Sequence, residues 1–277
     1  MPVSVMLAVL AGAFLHAAWN VSVKAGRDKH LETALLLAGG ALIAVVLLPV
    51  LPRPAIASLP EIALSVVLHV AYFTLLARAY HAGDMAQLYP LMRGVPPLLL
   101  ALLGPLFGET LPLAHWWGIG LISAGVLSLG LGKGAAGHGR ASLIALLNAG
   151  VIAGYTLNDG IGARLSGAPL SYTLAMFLAT ALVFLGWALF RRGRGLFAVP
   201  ARRWGIGLLA AGCSIGSYAL ALWAMTRAPI APVAALRETA ILFGMGLARL
   251  MLRERLGPAR QVAAALILAG AVALRLL

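Results

Sequence analysis

Apolar residues fall into ten stretches along the chain: about 3–24, 32–51, 61–80, 85–107, 112–132, 141–161, 169–190, 204–225, 230–250 and 257–276. Each is close to the roughly 20 residues that carry a helix across a bilayer core. The polar connections between them are short, which leaves no room for a soluble domain. The pattern predicts an all-α integral membrane protein of ten transmembrane helices. Inside five of the stretches, polar and aromatic residues recur at helical spacing: His16 and Asn20 with Trp19 beside them, Ser65, His69 and Tyr72, then Gln87, Tyr89 and Arg93. Asn148, Tyr155 and Asp159 form a fourth stripe, and Ser214, Ser217 and Tyr218 a fifth. Polar groups in a bilayer turn toward the bundle interior or a watery cavity, so these stripes predict a shared polar centre. Stretches five and ten are polar mainly near their starts and carry Gly118, Gly125, Ala269 and Gly270, small residues that permit close helix contact. They suit a peripheral brace or a homodimer face.

The chain repeats itself. Residues 107–129 align without gaps on 252–274, with eight of 23 positions identical, among them Glu109/Glu254 and Gly125/Gly270. Moving the offset by one residue also pairs Arg93 with Arg237. The break point falls near residue 138 and divides the chain into 1–137 and 138–277. Five helices on each side is an odd number, so the second half inserts upside down relative to the first, as two inverted five-helix repeats.

Composition sharpens this picture. The 277 residues are 62% hydrophobic and 10% charged, with mean hydropathy +0.97 and net charge +13. Soluble domains carry about 25% charged residues. The single cysteine, Cys213, excludes an intramolecular disulfide, a cysteine zinc cluster and a CxxC pair. Fifteen lysines and arginines lie in the odd-numbered connections and four on the other side, Arg53, Arg164, Arg227 and Arg275. Basic loops stay cytoplasmic, so the asymmetry predicts both termini outside and accounts for the high charge as a topology signal, without a nucleic-acid partner. The first stretch has no Lys or Arg before Lys24 and is read as a spanning helix instead of a signal peptide. Two arginines escape the loop pattern, Arg93 and Arg237, and both fall inside helices.

HAAWNVSVKAGRD at 16–28, AGDMAQLYPLMRG at 82–94, GETL at 108–111, YTLNDGIGAR at 155–164, APVAALRETAILF at 231–243 and RERL at 253–256 occur in that order across the two halves. In these segments the chain resembles the drug/metabolite transporter superfamily, specifically its ten-helix EamA-type members. The resemblance implies a carrier of small metabolites, often amino acids or their derivatives, usually directed outward. It also implies that helices one to four and six to nine surround the pathway while five and ten are peripheral. Several members place their termini in the cytoplasm, whereas the arginine count here argues the reverse.

The expected function is therefore a secondary transporter of the cell inner membrane, working by alternating access on an amino acid or another carboxylate-bearing substrate. Arg93 or Arg237 would meet the anionic group, since a guanidinium binds a carboxylate in bidentate fashion. Trp19, Asn20, Tyr72, Tyr89, Tyr155 and Tyr218 would complete the site. Glu238 is expected to pair with another helix instead of with its neighbour Arg237. His16, His69 and Glu238 are the candidate proton carriers, and Asp159 is expected near the membrane surface, within reach of Arg164. Pro90, Pro96 and Pro97 in the fourth helix and Pro229 and Pro232 at the start of the ninth mark where the backbone opens. The chain has no P-loop and is expected to need no cofactor or metal. Alternative readings are a drug or cation exporter, disfavoured because the first helix lacks an acidic residue, and a nucleotide-sugar or lipid-linked sugar carrier. An integral-membrane enzyme is disfavoured because HExxH, GxSxG and paired intramembrane aspartates are missing.

Overall fold

The computed structural model describes residues 1–25, 28–130, 139–193, 200–252 and 257–276. Twelve α-helices carry the ten spans. They are α1 (Val3–Ala25), α2 (Lys29–Leu47), α3 (Leu59–Ala82), α4 (Met85–Gly94), α5 (Pro96–Leu103), α6 (Leu113–Ser128), α7 (Gly139–Ser166), α8 (Pro169–Arg192), α9 (Ala201–Met225), α10 (Ile230–Arg237), α11 (Ala240–Leu252) and α12 (Pro258–Leu276). Spans four and nine are each built from two half-helices, α4 with α5 and α10 with α11. Among the described residues nine spans are long and apolar enough to cross a membrane, and α6 is a shorter apolar helix. The chain is an all-α, multi-pass membrane protein.

Local chemistry sets the helix ends. Asp28 Oδ1 accepts from the Leu31 amide at the start of α2, and Asp84 Oδ1 from the Ala86 amide at the start of α4, each satisfying a first-turn donor that has no partner within its own helix. Pro169 opens α8, where its missing amide costs nothing. Gly167, at φ +63°, makes the turn between α7 and α8 in a conformation that side chains disfavour.

The packing is two-fold. Numbering the spans from one to ten, span one packs on span eight as span three packs on span six. Spans two and seven pack on each other, and so do five and ten. Lipid is as apolar as leucine, so close van der Waals contact must hold the helices together. Glycine supplies it where α6 crosses α12. A Cβ on Gly270 would stand 2.6 Å from the Gly118 carbonyl oxygen, and one on Gly125 would stand 2.9 Å from that of Ala263. The offset of 145 that aligns the two halves exchanges these two contacts, as a two-fold axis between the helices requires. The small faces of spans five and ten are thus spent on each other. Leu113, Trp117, Val262 and Leu268 remain exposed on the outside of the pair.

In span four Pro96 and Pro97 act where expected; Pro90 and the prolines of span nine do not. Pro90 lies within α4 without ending it, and the helix breaks at Val95, ahead of Pro96 and Pro97. In span nine Pro229 is the N-cap and Pro232 sits in the first turn of α10, while the break comes downstream at Glu238 and Thr239. No proline stands there. Five of the connection cations, Arg27, Lys133, Arg194, Arg253 and Arg255, lie outside the described residues, as do Glu254 and the break point near 138. The side chains of Lys24, Lys29 and Arg192 are not described either.

Candidate functional site

Both intramembrane arginines stand at the end of a half-helix. Arg93 is the next-to-last residue of α4 and Arg237 the last of α10. Pro96 and Pro97 have no N–H to offer the carbonyls of Met92 and Arg93, so the end of α4 keeps acceptors that an unbroken helix would use. The negative end of a helix dipole favours a cation at such a place. The breaks coincide under the offset that pairs the arginines, and α5 packs against α10 where spans four and nine meet.

The two cations differ in what answers them. Arg93 Nε donates to Glu238 Oε2 at 3.0 Å, and both side chains are largely buried. Glu238 therefore pairs with another helix, closing a clamp across the two breaks. Arg237 makes no ion pair among the described residues. Its guanidinium carbon sits 5.1 Å from the centre of the Tyr218 ring, a cation–π contact. The Tyr218 hydroxyl donates to Asp159 Oδ2, and the Tyr172 hydroxyl donates to Asp159 Oδ1 at 3.0 Å. Asp159 thus holds Tyr218 from behind while the face of the ring is turned to Arg237.

This corrects the expectation for Asp159, which is fully buried and does not pair with Arg164. Arg164 binds Glu109 instead, and donates to the carbonyls of Met225 and Ala228 at 2.8 and 3.1 Å. The other Glu109 oxygen accepts from the Ile230 amide at 2.9 Å, at the start of α10. Span nine is consequently held at both ends of its first half, by Glu109 at Ile230 and by Arg93 at Glu238. A further ion pair, Glu32 with Arg203, joins the starts of α2 and α9.

Aromatic side chains gather beside the arginines. His69 stacks on Tyr155 with centroids 4.5 Å apart, Tyr72 meets Tyr155 edge-on at 5.8 Å, and His69 meets Tyr218 edge-on at 6.4 Å. His69 Nδ1 lies 2.9 Å from the Ser65 carbonyl oxygen. Tyr72, Tyr89 and Tyr155 lie within electrostatic reach of Arg93, and His16 within reach of both arginines. His16, His69, Tyr72, Tyr155 and Arg237 are half-buried and keep accessible surface. Tyr89 is 40% exposed.

Two sequence-predicted residues contact His16 on their own helix. The Asn20 amide donates to the His16 carbonyl one turn back at 2.8 Å, and Trp19 rests edge-on against the His16 ring at 5.2 Å. Tyr172 was not singled out in the sequence, although a wholly buried tyrosine needs a partner for its hydroxyl. Its signal was the pair Gly160 and Gly162 next to Asp159. A Cβ on Gly162 would fall 2.5 Å from the Tyr172 oxygen, so only glycine lets that ring lie flat on α7. Among the described residues no three metal-ligating side chains cluster.

Residues 140–276 match the model of the EamA-like transporter family. Through this half the chain belongs to the EamA-like transporter family. The match covers α7 to α12 and so includes Arg237, Glu238, Tyr155, Asp159 and Tyr218. A solved crystal structure resembles the EamA-like chain over 99% of its length and 96% of its own, with a TM-score of 0.74 and 21% identity. At that identity the likeness shows the fold alone, and it extends that fold across the half that the family model leaves unmatched. No curated protein matches the sequence. An EamA-like chain is a member of a family of transporters.

Proposed function

We propose that the protein is a secondary transporter of small carboxylate-bearing metabolites, amino acids foremost, moving them outward across the cell inner membrane. Arg237 carries this reading. It is a half-buried cation at the end of a broken helix, with an aromatic face beside it and no ion pair among the described residues. Arg93 is neutralised by Glu238, so of the two arginines Arg237 is the one with charge to spare for a substrate. The substrate carboxylate would take two guanidinium donors, and Tyr72, Tyr155 and His69 would pack on its body.

The matched breaks at Val95 and at Glu238–Thr239 support alternating access between the two inverted repeats, because half-helices can turn where the backbone ladder is open. A coupled proton would ride on His16, His69 or Glu238. The termini lie outside in this reading, on the strength of the lysine and arginine count.

The test is flux in proteoliposomes challenged with amino acids, sugars and cationic dyes, with and without a pH gradient. Amino acids should compete for transport. Competition by dyes alone would favour a cation exporter, and competition by sugars or nucleotide sugars the sugar-carrier reading.

A further inference from the structure

A second feature lies on the flank and outer side of two helices that line the site. At 100° per residue, Arg78 stands about 120° around α3 from Tyr72, and Leu143 about 140° around α7 from Asn148. These residues therefore face away from the polar centre. Where the end of α3 meets the start of α7 they border a groove of about 880 Å³, lined at its polar end by Arg78, His81 and Arg140 and along its length by Leu75, Leu143 and Leu147. Arg78, His81 and Arg140 are exposed, and among the described residues none makes an ion pair or a hydrogen bond. The nearest acid along the chain, Asp84, is engaged in capping α4. The sequence from Leu129 to Arg140 adds Lys133 and no acidic residue. Below the cations, Leu143 and Leu147 are 57% and 54% exposed, one turn apart on α7.

We propose that this groove binds one anionic phospholipid, its phosphate between Arg78 and Arg140 and an acyl chain along Leu143 and Leu147. A cluster of unpaired cations directly above an exposed apolar strip matches a molecule with a negative head on a hydrocarbon tail. A soluble anion would use only the upper half of the groove. A zwitterionic lipid would place its own cation among three basic residues. The groove lies on helices that also carry Tyr72, His69 and Tyr155, so an occupied groove buttresses the α3–α7 pair from outside.

Native mass spectrometry of the full-length protein in detergent tests this, with phosphatidylglycerol, phosphatidylcholine or inorganic phosphate added. One basic residue near an anionic lipid surface is worth about a five-fold change in affinity. Arg78→Gln and Arg140→Gln should each weaken phosphatidylglycerol binding about five-fold, and together about thirty-fold. Arg53→Gln, at the other end of α3, should leave it unchanged. All three residues are exposed, and monodisperse elution of each variant confirms its fold. The proposal is overturned if the double variant keeps the parent affinity, or if phosphatidylcholine binds as tightly as phosphatidylglycerol. Displacement of the lipid by millimolar inorganic phosphate would also overturn it, by showing a free-anion site.

Discussion

Glu238→Gln should destabilise the protein more than Arg93→Met, although the two side chains form one pair. At 3.0 Å and an effective dielectric of about 20, the attraction between their charges is on the order of 5 kcal/mol. Desolvation offsets much of it, and removing one partner of a buried pair typically costs about 3–5 kcal/mol because the other is left unanswered. The surroundings are asymmetric. Glu238 has Arg237 within electrostatic reach as well as Arg93, whereas among the described residues the one carboxylate acting on Arg93 is Glu238. Losing the glutamate therefore leaves Arg93 without its ion-pair partner and removes a nearby counter-charge from Arg237, whereas losing Arg93 leaves Glu238 with Arg237 still in reach. We expect about 3–4 kcal/mol for Glu238→Gln, toward the lower part of that range because Arg93 keeps some accessible surface. For Arg93→Met we expect about 1–2 kcal/mol, and the double variant should cost less than the sum of the singles by at least about 2 kcal/mol. Unfolding in mixed micelles by an SDS titration, followed by tryptophan fluorescence, gives all four corners of the cycle. Additivity within about 0.5 kcal/mol, or the reverse order of the single variants, would refute the clamp.

Two further outcomes follow from the packing. Gly270→Val puts side-chain atoms against the Gly118 carbonyl and should cost at least about 1–3 kcal/mol by forcing α6 from α12, read as a lowered midpoint in the same titration. Flux per folded molecule should be retained, because that pair lies outside the arginine site. Tyr172→Phe removes one donor from a buried carboxylate and should cost about 1.5–3 kcal/mol. Gly162→Ala should reproduce that loss by pushing the ring away, and combining the two should add little.

Span positions were legible in the sequence because a bilayer sets a minimum run of apolar residues, and each observed helix overlaps its predicted stretch. Arg93 and Arg237 were legible because a charge inside such a run is rare. The break in span four announced itself through Pro96 and Pro97. The break in span nine did not, since Glu238 and Thr239 are not strong helix breakers by themselves; in the fold the Thr239 hydroxyl donates to the Leu236 carbonyl and Glu238 is engaged by Arg93 from α4. Asp159 was misread for a related reason. Arg164 stands five residues away in sequence, while the hydroxyls that hold Asp159 come from Tyr172 on α8 and Tyr218 on α9. The same limit applies to spans five and ten, where glycine spacing showed a close-packing face and only the fold showed that each face meets the other.

In the proposed transport cycle Arg237, and not Arg93, offers its charge to the substrate carboxylate. The most direct measurement compares the affinity of the purified protein for a transported amino acid and for its carboxamide, in the parent and in Arg237→Gln. A hydrogen bond to a charged partner contributes about 1.5–3 kcal/mol, so the parent should prefer the carboxylate by about 10- to 150-fold. Arg237→Gln should erase that preference while still binding the amide. If the variant keeps the parent's discrimination, Arg237 does not meet the carboxylate.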